Sequence, residues 1–154
     1  MCNKWEKVVN MFLGTFNHKL DAKGRLMIPA KFRKEIKGDE LYLLRGFEGC
    51  VSIYTKESFE AYTAELQKYS FHNKNDRTFI RLVLSSVVEL EIDKVGRLLL
   101  PKATIDTYKI EEEVVVVGVN DHFEIWNLKT WNTYLGENET KLSDIANLLG
   151  RYDE

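Results

Sequence analysis

One nine-residue phrase occurs twice in this chain, and that constrains its fold more than any other feature. Asp21-Ala22-Lys23-Gly24-Arg25-Leu26-Met27-Ile28-Pro29 returns as Asp93-Lys94-Val95-Gly96-Arg97-Leu98-Leu99-Leu100-Pro101, with the shared pattern Asp-x-x-Gly-Arg-Leu-x-x-Pro. The copies lie 72 residues apart, and the echo continues downstream at that spacing: Ile53-Tyr54 answers Ile125-Trp126, Phe59 answers Trp131, and Tyr62 answers Tyr134. Half of the chain therefore repeats the other half. A duplicated unit must be built twice from the same strands and turns, and each unit carries one charged loop.

A chain of 154 residues suits one compact domain or two small fused half-domains. With 44% hydrophobic and 30% charged residues it can bury a core, and it lacks the low hydrophobicity of disordered chains. Its apolar runs, such as Val114-Val115-Val116-Val117, are far too short to span a membrane. Residues 1–10 carry Lys4, Glu6 and Lys7 without an apolar stretch, so they do not read as a secretory signal. The two cysteines, Cys2 and Cys50, form no CxxC or Cys/His cluster. This argues against a disulfide framework or zinc site and points to a reduced cytosol.

The net charge of −2 excludes an indiscriminately basic nucleic-acid binder, yet the charge is unevenly spread. Between Met11 and Lys37 seven Lys and Arg face two acids, whereas acidic residues collect at Glu89/Glu91/Asp93 and at Glu111-Glu112-Glu113. A basic face on an acidic body is compatible with an anionic polymer bound at a defined place.

Each copy reads as the same series of elements. In the first, a strand from Phe12 to Leu20 leads into a tight connection, where Asp21 can bond the backbone two residues on and Gly24 can take positive φ. Arg25 to Ile28 resumes as a strand, so the two strands are expected to form a hairpin-like unit. Pro29 opens a short helix that runs to Lys37 and stops at Gly38. Strands 41–44 and 50–54 follow, and Thr55 caps a helix from 56 to 69. Asn75 or Asp76 is expected to cap a connecting helix through Leu84. The second copy then repeats the order from Val87, with Asp93 and Gly96 shaping its turn. The resulting division is an extension (1–10), a first repeat (11–72), a connecting helix (73–86), a second repeat (87–135) and a helical tail (136–154). Along that tail Leu142, Ile145, Leu148 and Leu149 fit one apolar stripe, suited to docking or oligomer contact.

The loops are the candidate site. A Gly-Arg at a hairpin tip puts a planar cation beyond the strand ends, suited to phosphate or to the O6 and N7 edge of guanine. A two-stranded ribbon is narrow enough for the major groove. Lys23 reads as a phosphate contact, which positions without specifying. The second loop offers Arg97 and Lys94, with Val95 where the first has Lys23, so the first loop is expected to carry more of the affinity. The bland alternative is that Asp21–Arg25 and Asp93–Arg97 are internal salt bridges holding the turns. Pattern alone weighs the two readings evenly.

Other chemistries find less support. His18, His72 and His122 show no metal spacing, and no phosphate loop or Gly-x-Ser-x-Gly frame occurs. Glu89 and Glu91 are more simply a solvated strand edge than paired catalytic carboxylates. Phe59, Tyr62, Trp131 and Tyr134 at helical spacing read as core. Neither enzyme activity nor a cofactor is expected.

At residues 21–33, Asp-Ala-Lys-Gly-Arg-Leu-Met-Ile-Pro-Ala-Lys-Phe-Arg, preceded by Met-Phe-Leu-Gly-Thr-Phe-Asn-His (11–18), the chain closely resembles the MraZ family. The second motif at 93–101 and Glu124-Ile125-Trp126 agree with it, so the match covers roughly Met11 to Leu135. The resemblance implies an α+β fold of two tandem AbrB-like swapped-hairpin halves with flanking short helices, a double-split β-barrel-like arrangement. It further implies a cytoplasmic, nucleoid-associated transcriptional regulator. Such a protein would form a ring-shaped homo-oligomer on double-stranded DNA, at short direct repeats in the promoter of the division and cell-wall gene cluster. Carried over by motif position, Lys23 and Arg25, with Arg97 and Lys94, would be the DNA-binding residues. Met11 falls where the family's members begin, which marks residues 1–10 as an extension. An AbrB-like antitoxin or protein-binding module is the alternative.

Overall fold

The computed structural model describes residues 11–153, and the side chains of 11–150. The expected extension therefore lies outside the described residues. The first copy supplies β1 (Phe12–Lys19), β2 (Arg25–Met27), α1 (Ala30–Arg33), β3 (Glu40–Arg45), β4 (Val51–Thr55) and α2 (Lys56–Leu66). A linking helix α3 (Lys74–Leu84) leads to β5 (Val88–Glu91), β6 (Arg97–Leu99), α4 (Lys102–Thr107), β7 (Glu113–Asn120), β8 (His122–Asn127) and α5 (Leu128–Asn138). A 3-10 turn, Glu139–Lys141, joins α5 to α6 (Leu142–Asp153).

Local chemistry accounts for most boundaries. Pro29 and Pro101 are the N-caps of α1 and α4, where a residue without an N–H forfeits nothing. Thr55 and Ser58 close a reciprocal capping box on α2, each side chain bonding the other's backbone N–H. Two expectations need correction. α1 ends at Arg33, well short of Lys37, and the chain leaves it through tight turns (Glu35 N–H to Phe32 O, 3.0 Å; Ile36 N–H to Arg33 O, 3.2 Å). The cap of α3 is Asn73, neither Asn75 nor Asp76. Its side-chain oxygen accepts the Asp76 N–H at 3.1 Å, so the cap sits two residues before Asn75 and three before Asp76.

A further correction concerns the strands around each loop. β1 and β2 do not pair with each other, and neither do β5 and β6 beyond an isolated Ile92–Leu98 bridge. β1 instead pairs antiparallel with β7, β5 with β3, and β2 with β6. The six-stranded sheet runs β1-β7-β8-β4-β3-β5, which reads the same from either end once each strand is replaced by its counterpart in the other copy. Each copy thus lends its first strand to the other's half of the sheet. The two halves are interlocked, α+β, and related by a pseudo-two-fold axis. That axis passes between Ser52 and Glu124, and between Leu26 and Leu98, pairs that are register partners and also counterparts 72 residues apart.

Three layers result. The β2/β6 ribbon and the short helices α1 and α4 cover one face of the sheet, and α2, α3 and α5 cover the other. The central strands are therefore buried on both sides and read as nearly continuous apolar runs. In β3, Leu41 and Leu43 face the ribbon while Tyr42 and Leu44 face α2 and α3; in β7, Val114 and Val116 face the ribbon while Val115 and Val117 face α5. On the ribbon side Phe12, Phe32 and Phe123 meet at ring-centre distances of 5.2 and 5.3 Å. The repeated aromatics are core: Phe59 stacks on Tyr42 at 4.4 Å, Tyr62 on Tyr54 at 5.2 Å, and Trp131 and Tyr134 both meet Trp126 at 5.1 Å. Tail helix α6 does not share this burial. Leu142, Ile145, Leu148 and Leu149 are 72%, 42%, 51% and 62% exposed, so its apolar stripe faces solvent.

Candidate nucleic-acid interface

Each charged loop is tied by one carboxylate. Asp21 Oδ1 accepts the backbone N–H of Lys23 and Arg25 at 2.9 and 2.8 Å, while Oδ2 takes the Arg25 Nε–H at 2.7 Å. Asp93 does the same with an added bond: its Oδ1 accepts from Val95, Gly96 and Arg97 at 2.9, 3.0 and 2.9 Å, and Oδ2 from Arg97 Nε at 2.8 Å. Gly24 and Gly96 close the turns at φ of +84° and +99°, which a residue with a Cβ adopts only under strain. Bonding from the Arg97 backbone N–H, then from its guanidinium, holds the Asp93 carboxyl down to about 2 against partial burial. Asp21 is lowered chiefly by the Arg25 backbone N–H.

Internal Asp–Arg ion pairs are therefore present in both loops. They engage only Nε. The two amino groups of Arg25 and Arg97, the ones that could span O6 and N7 of a guanine, have no protein acceptor among the described residues. The ion pair fixes the direction of the guanidinium and leaves its outer edge open.

The expected placement of these arginines at separate hairpin tips does not hold. Arg25 and Arg97 begin β2 and β6, and those strands pair with each other: Arg25 opposite Leu99, Leu26 opposite Leu98, Met27 opposite Arg97. Leu26 and Leu98, 1% and 0% exposed, point into the core. Alternation then puts Arg25, Met27, Arg97 and Leu99 on one outer face. The two arginines are diagonal neighbours on it, with Cα atoms about 7–8 Å apart. Met27 and Leu99 lie between them, 40% and 55% exposed. Two sites read from the sequence are one composite surface, made by both copies.

The loops are also stitched across the copies. Gly24 O accepts the Leu100 N–H at 2.9 Å, and Gly96 O accepts the Ile28 N–H at 3.1 Å. A Cβ on Gly24 would lie 3.1 Å from the side chain of Ile105, on α4 of the second copy; one on Gly96 would collide with the Arg33 guanidinium, on α1 of the first. Each loop is thus roofed by a short helix of the other half. Arg33 and Ile105 are counterparts 72 residues apart, and so are Met27 and Leu99. Sequence reasoning singled out neither Arg33 nor Met27 and Leu99. The mismatch of Arg33 with Ile105 at the repeat spacing was the available signal.

Lys23 and Lys94 are exposed beside their loops. Lys23 also lines an open groove of about 600 Å³ with Leu99, Lys102, Ile105 and Asp106. The other candidates stay apart from this face. Glu89 and Glu91 are exposed on edge strand β5. His122 stacks on Tyr54 at 4.2 Å. Among the described residues no group of three or more His, Cys, Asp or Glu could hold a metal, and no helix is long and apolar enough to cross a membrane.

A family model described as "MraZ protein, putative antitoxin-like" matches twice, over residues 11–82 and 83–149. The chain is 40% identical over 143 residues to the "Transcriptional regulator MraZ" of Ligilactobacillus salivarius, covering 93% of this chain and 99% of that protein. It is 42% identical over 137 residues to the protein of that name from Lactiplantibacillus plantarum (88% and 96% covered), and 41% identical over 136 residues to that from Bifidobacterium longum (88% and 90% covered). Two consecutive model matches and relatives aligned over nearly their whole length lead to one conclusion: the chain belongs to the MraZ family.

Proposed function

We propose that this chain, a transcriptional regulator by family, binds double-stranded DNA sequence-specifically through the outer face of the β2/β6 ribbon. The observation that carries the reading is the convergence of Arg25 and Arg97 on one exposed face, each with Nε anchored and its amino groups open. Anchoring removes rotamer freedom before binding, so less entropy is lost when the guanidinium meets a base edge. Lys23 and Lys94 supply phosphate contacts from the flanking loops, and Met27 and Leu99 offer apolar contact to thymine methyl groups.

The targets in this reading are short direct repeats in the promoter of the division and cell-wall gene cluster, and the protein acts in the cytoplasm, associated with the nucleoid. A ring of identical chains presents many copies of the face, with the exposed stripe of α6 as a contact between copies. Weak individual contacts then gain through effective concentration wherever repeat spacing matches subunit spacing. The units that repeat are 11–72 and 87–135, joined by 73–86 and followed by the tail 136–154.

The test is Arg25→Ala in a gel-shift assay at fixed salt with promoter duplex, alongside gel filtration. Specific binding is expected to weaken by about thirtyfold while the oligomer persists, and unchanged binding would sink the assignment. A second reading, an antitoxin-like protein-binding module, is favoured by the wording of the family model. A small protein co-purifying in stoichiometric amount, released by substitutions on the ribbon face, would support it.

A further inference from the structure

The exchange of short helices between the halves redistributes charge in a way the linear sequence conceals. The basic stretch of the first copy includes Lys31, Arg33 and Lys34. α1 carries Arg33 onto the second loop, where its Nη1 occupies the space a Gly96 Cβ would fill, next to the Met27 sulfur. Met27 lies on the outer ribbon face opposite Arg97, so the Arg33 guanidinium reaches the same surface. Arg33 is half-buried, and among the described residues no acidic group lies within 4 Å of it. By contrast, Arg97 beside it is neutralised by Asp93. At the first loop the corresponding place is taken by Ile105 and by the open groove that also holds Lys102 and Asp106, one cation and one anion.

We propose that Arg33 is a phosphate-binding residue of the second loop, donated by the first half of the chain and standing in for the lysine that Val95 replaces. The inference rests on the DNA reading above and extends it to a third arginine. Its chemistry is simple. The Arg33 Nη1 abuts a glycine end-on, no acidic group among the described residues pairs with the guanidinium, and Met27 and Arg97 stand beside it on the outer face. A duplex phosphate reaching that edge would meet a planar donor capable of two parallel hydrogen bonds.

A phosphate contact does not depend on base sequence, so the test uses a fluorescein-labelled mixed-sequence duplex, titrated with the full-length protein across a series of salt concentrations. For Arg33→Ala the logarithmic salt slope should fall by about one per engaged subunit, with affinity down about tenfold at low salt. Arg33→Lys should retain the slope. Ile105→Arg, which restores the missing counterpart at the first loop, should steepen it by about one. Arg33→Ala with the slope of the original protein overturns the proposal, even if affinity falls, since a merely supporting side chain would leave the slope alone. Should Arg33→Ala fail to fold, Ile105→Arg decides: a folded variant with unchanged slope overturns the proposal. If the unaltered protein binds neither this duplex nor the promoter duplex, the DNA reading itself falls. If it binds and only the Arg33 results fail, that reading stands without this residue.

Discussion

The two loops share one backbone and differ in their surroundings. Both are drawn tight by an aspartate, turned by a glycine at positive φ, and end in an arginine whose Nε is committed. Yet the first is roofed by Ile105 and the second by Arg33, and the first has Lys23 where the second has Val95. The shared part is what the fold needs: the turn geometry places Leu26 and Leu98 back to back in the core. The divergent part lies at the margin of the core, with Lys23 and Val95 exposed and Arg33 and Ile105 half-buried, where the fold accepts different side chains. Fusion allowed this divergence, because a true dimer would carry the same residue at both places.

The comparison can be broken first in the core, where the largest effect is expected. Leu26→Ala and Leu98→Ala should each destabilise the protein by about 3 kcal/mol. Because both sit on the pseudo-two-fold axis, urea denaturation should return nearly equal losses, and a clear inequality would mean the halves are not packed alike. Next come the arginines. Arg25→Ala and Arg97→Ala should each cost about 2 kcal/mol of specific binding, and the two losses should agree within a factor of a few in affinity. Fluorescence anisotropy on promoter duplex would measure both, and a large gap would restore the first loop to the dominance its sequence suggests.

Smaller effects sharpen the comparison. Lys23→Ala should lower the logarithmic salt slope by about one per engaged subunit, and Val95→Lys should raise it by a similar amount. Equal slopes in all three proteins would remove both positions from the interface. The smallest difference concerns acid. The Asp93 carboxyl is depressed in the folded state, so its stabilising effect is present above the ordinary carboxylate range and is lost as pH falls from 3.8 towards about 2. Asp93→Asn should remove that acid-sensitive component from a circular-dichroism titration. Asp21→Asn should remove a smaller one, since Asp21 accepts two backbone N–H groups where Asp93 accepts three.

Much of the fold was legible in the sequence because its punctuation is local. Asp21, Gly24, Pro29 and Thr55 act on neighbours within four residues, and their effect needs no knowledge of distant contacts. Which strands pair was not legible. β1 and β2 are joined by a tight turn, and nothing in their residues says that each will find its partner in the other copy. β3 and β7 are buried on both faces and each is paired on one side with its own hairpin partner, β4 or β8, so their remaining edges are filled by the mostly exposed strands β5 and β1 of the other copy. The site followed suit. Arg25 and Arg97 were readable as a pair by motif, but their adjacency depends on the exchange. Arg33 follows the first loop along the chain, but α1 carries it to the second, a placement that depends on the same exchange.

A roof of Arg33 over one glycine and Ile105 over the other has one more consequence. A surface with true two-fold symmetry looks the same to a duplex arriving from either end, and its preferred targets are palindromes. Here the scaffold and the paired arginines keep the symmetry, while Arg33 against Ile105 and Lys23 against Val95 break it, so the face has a head and a tail. Any polymer laid across it has a preferred heading, and neighbouring copies can be set in file, all facing one way. On the proposed DNA reading, such a face suits tandem sites that point in one direction.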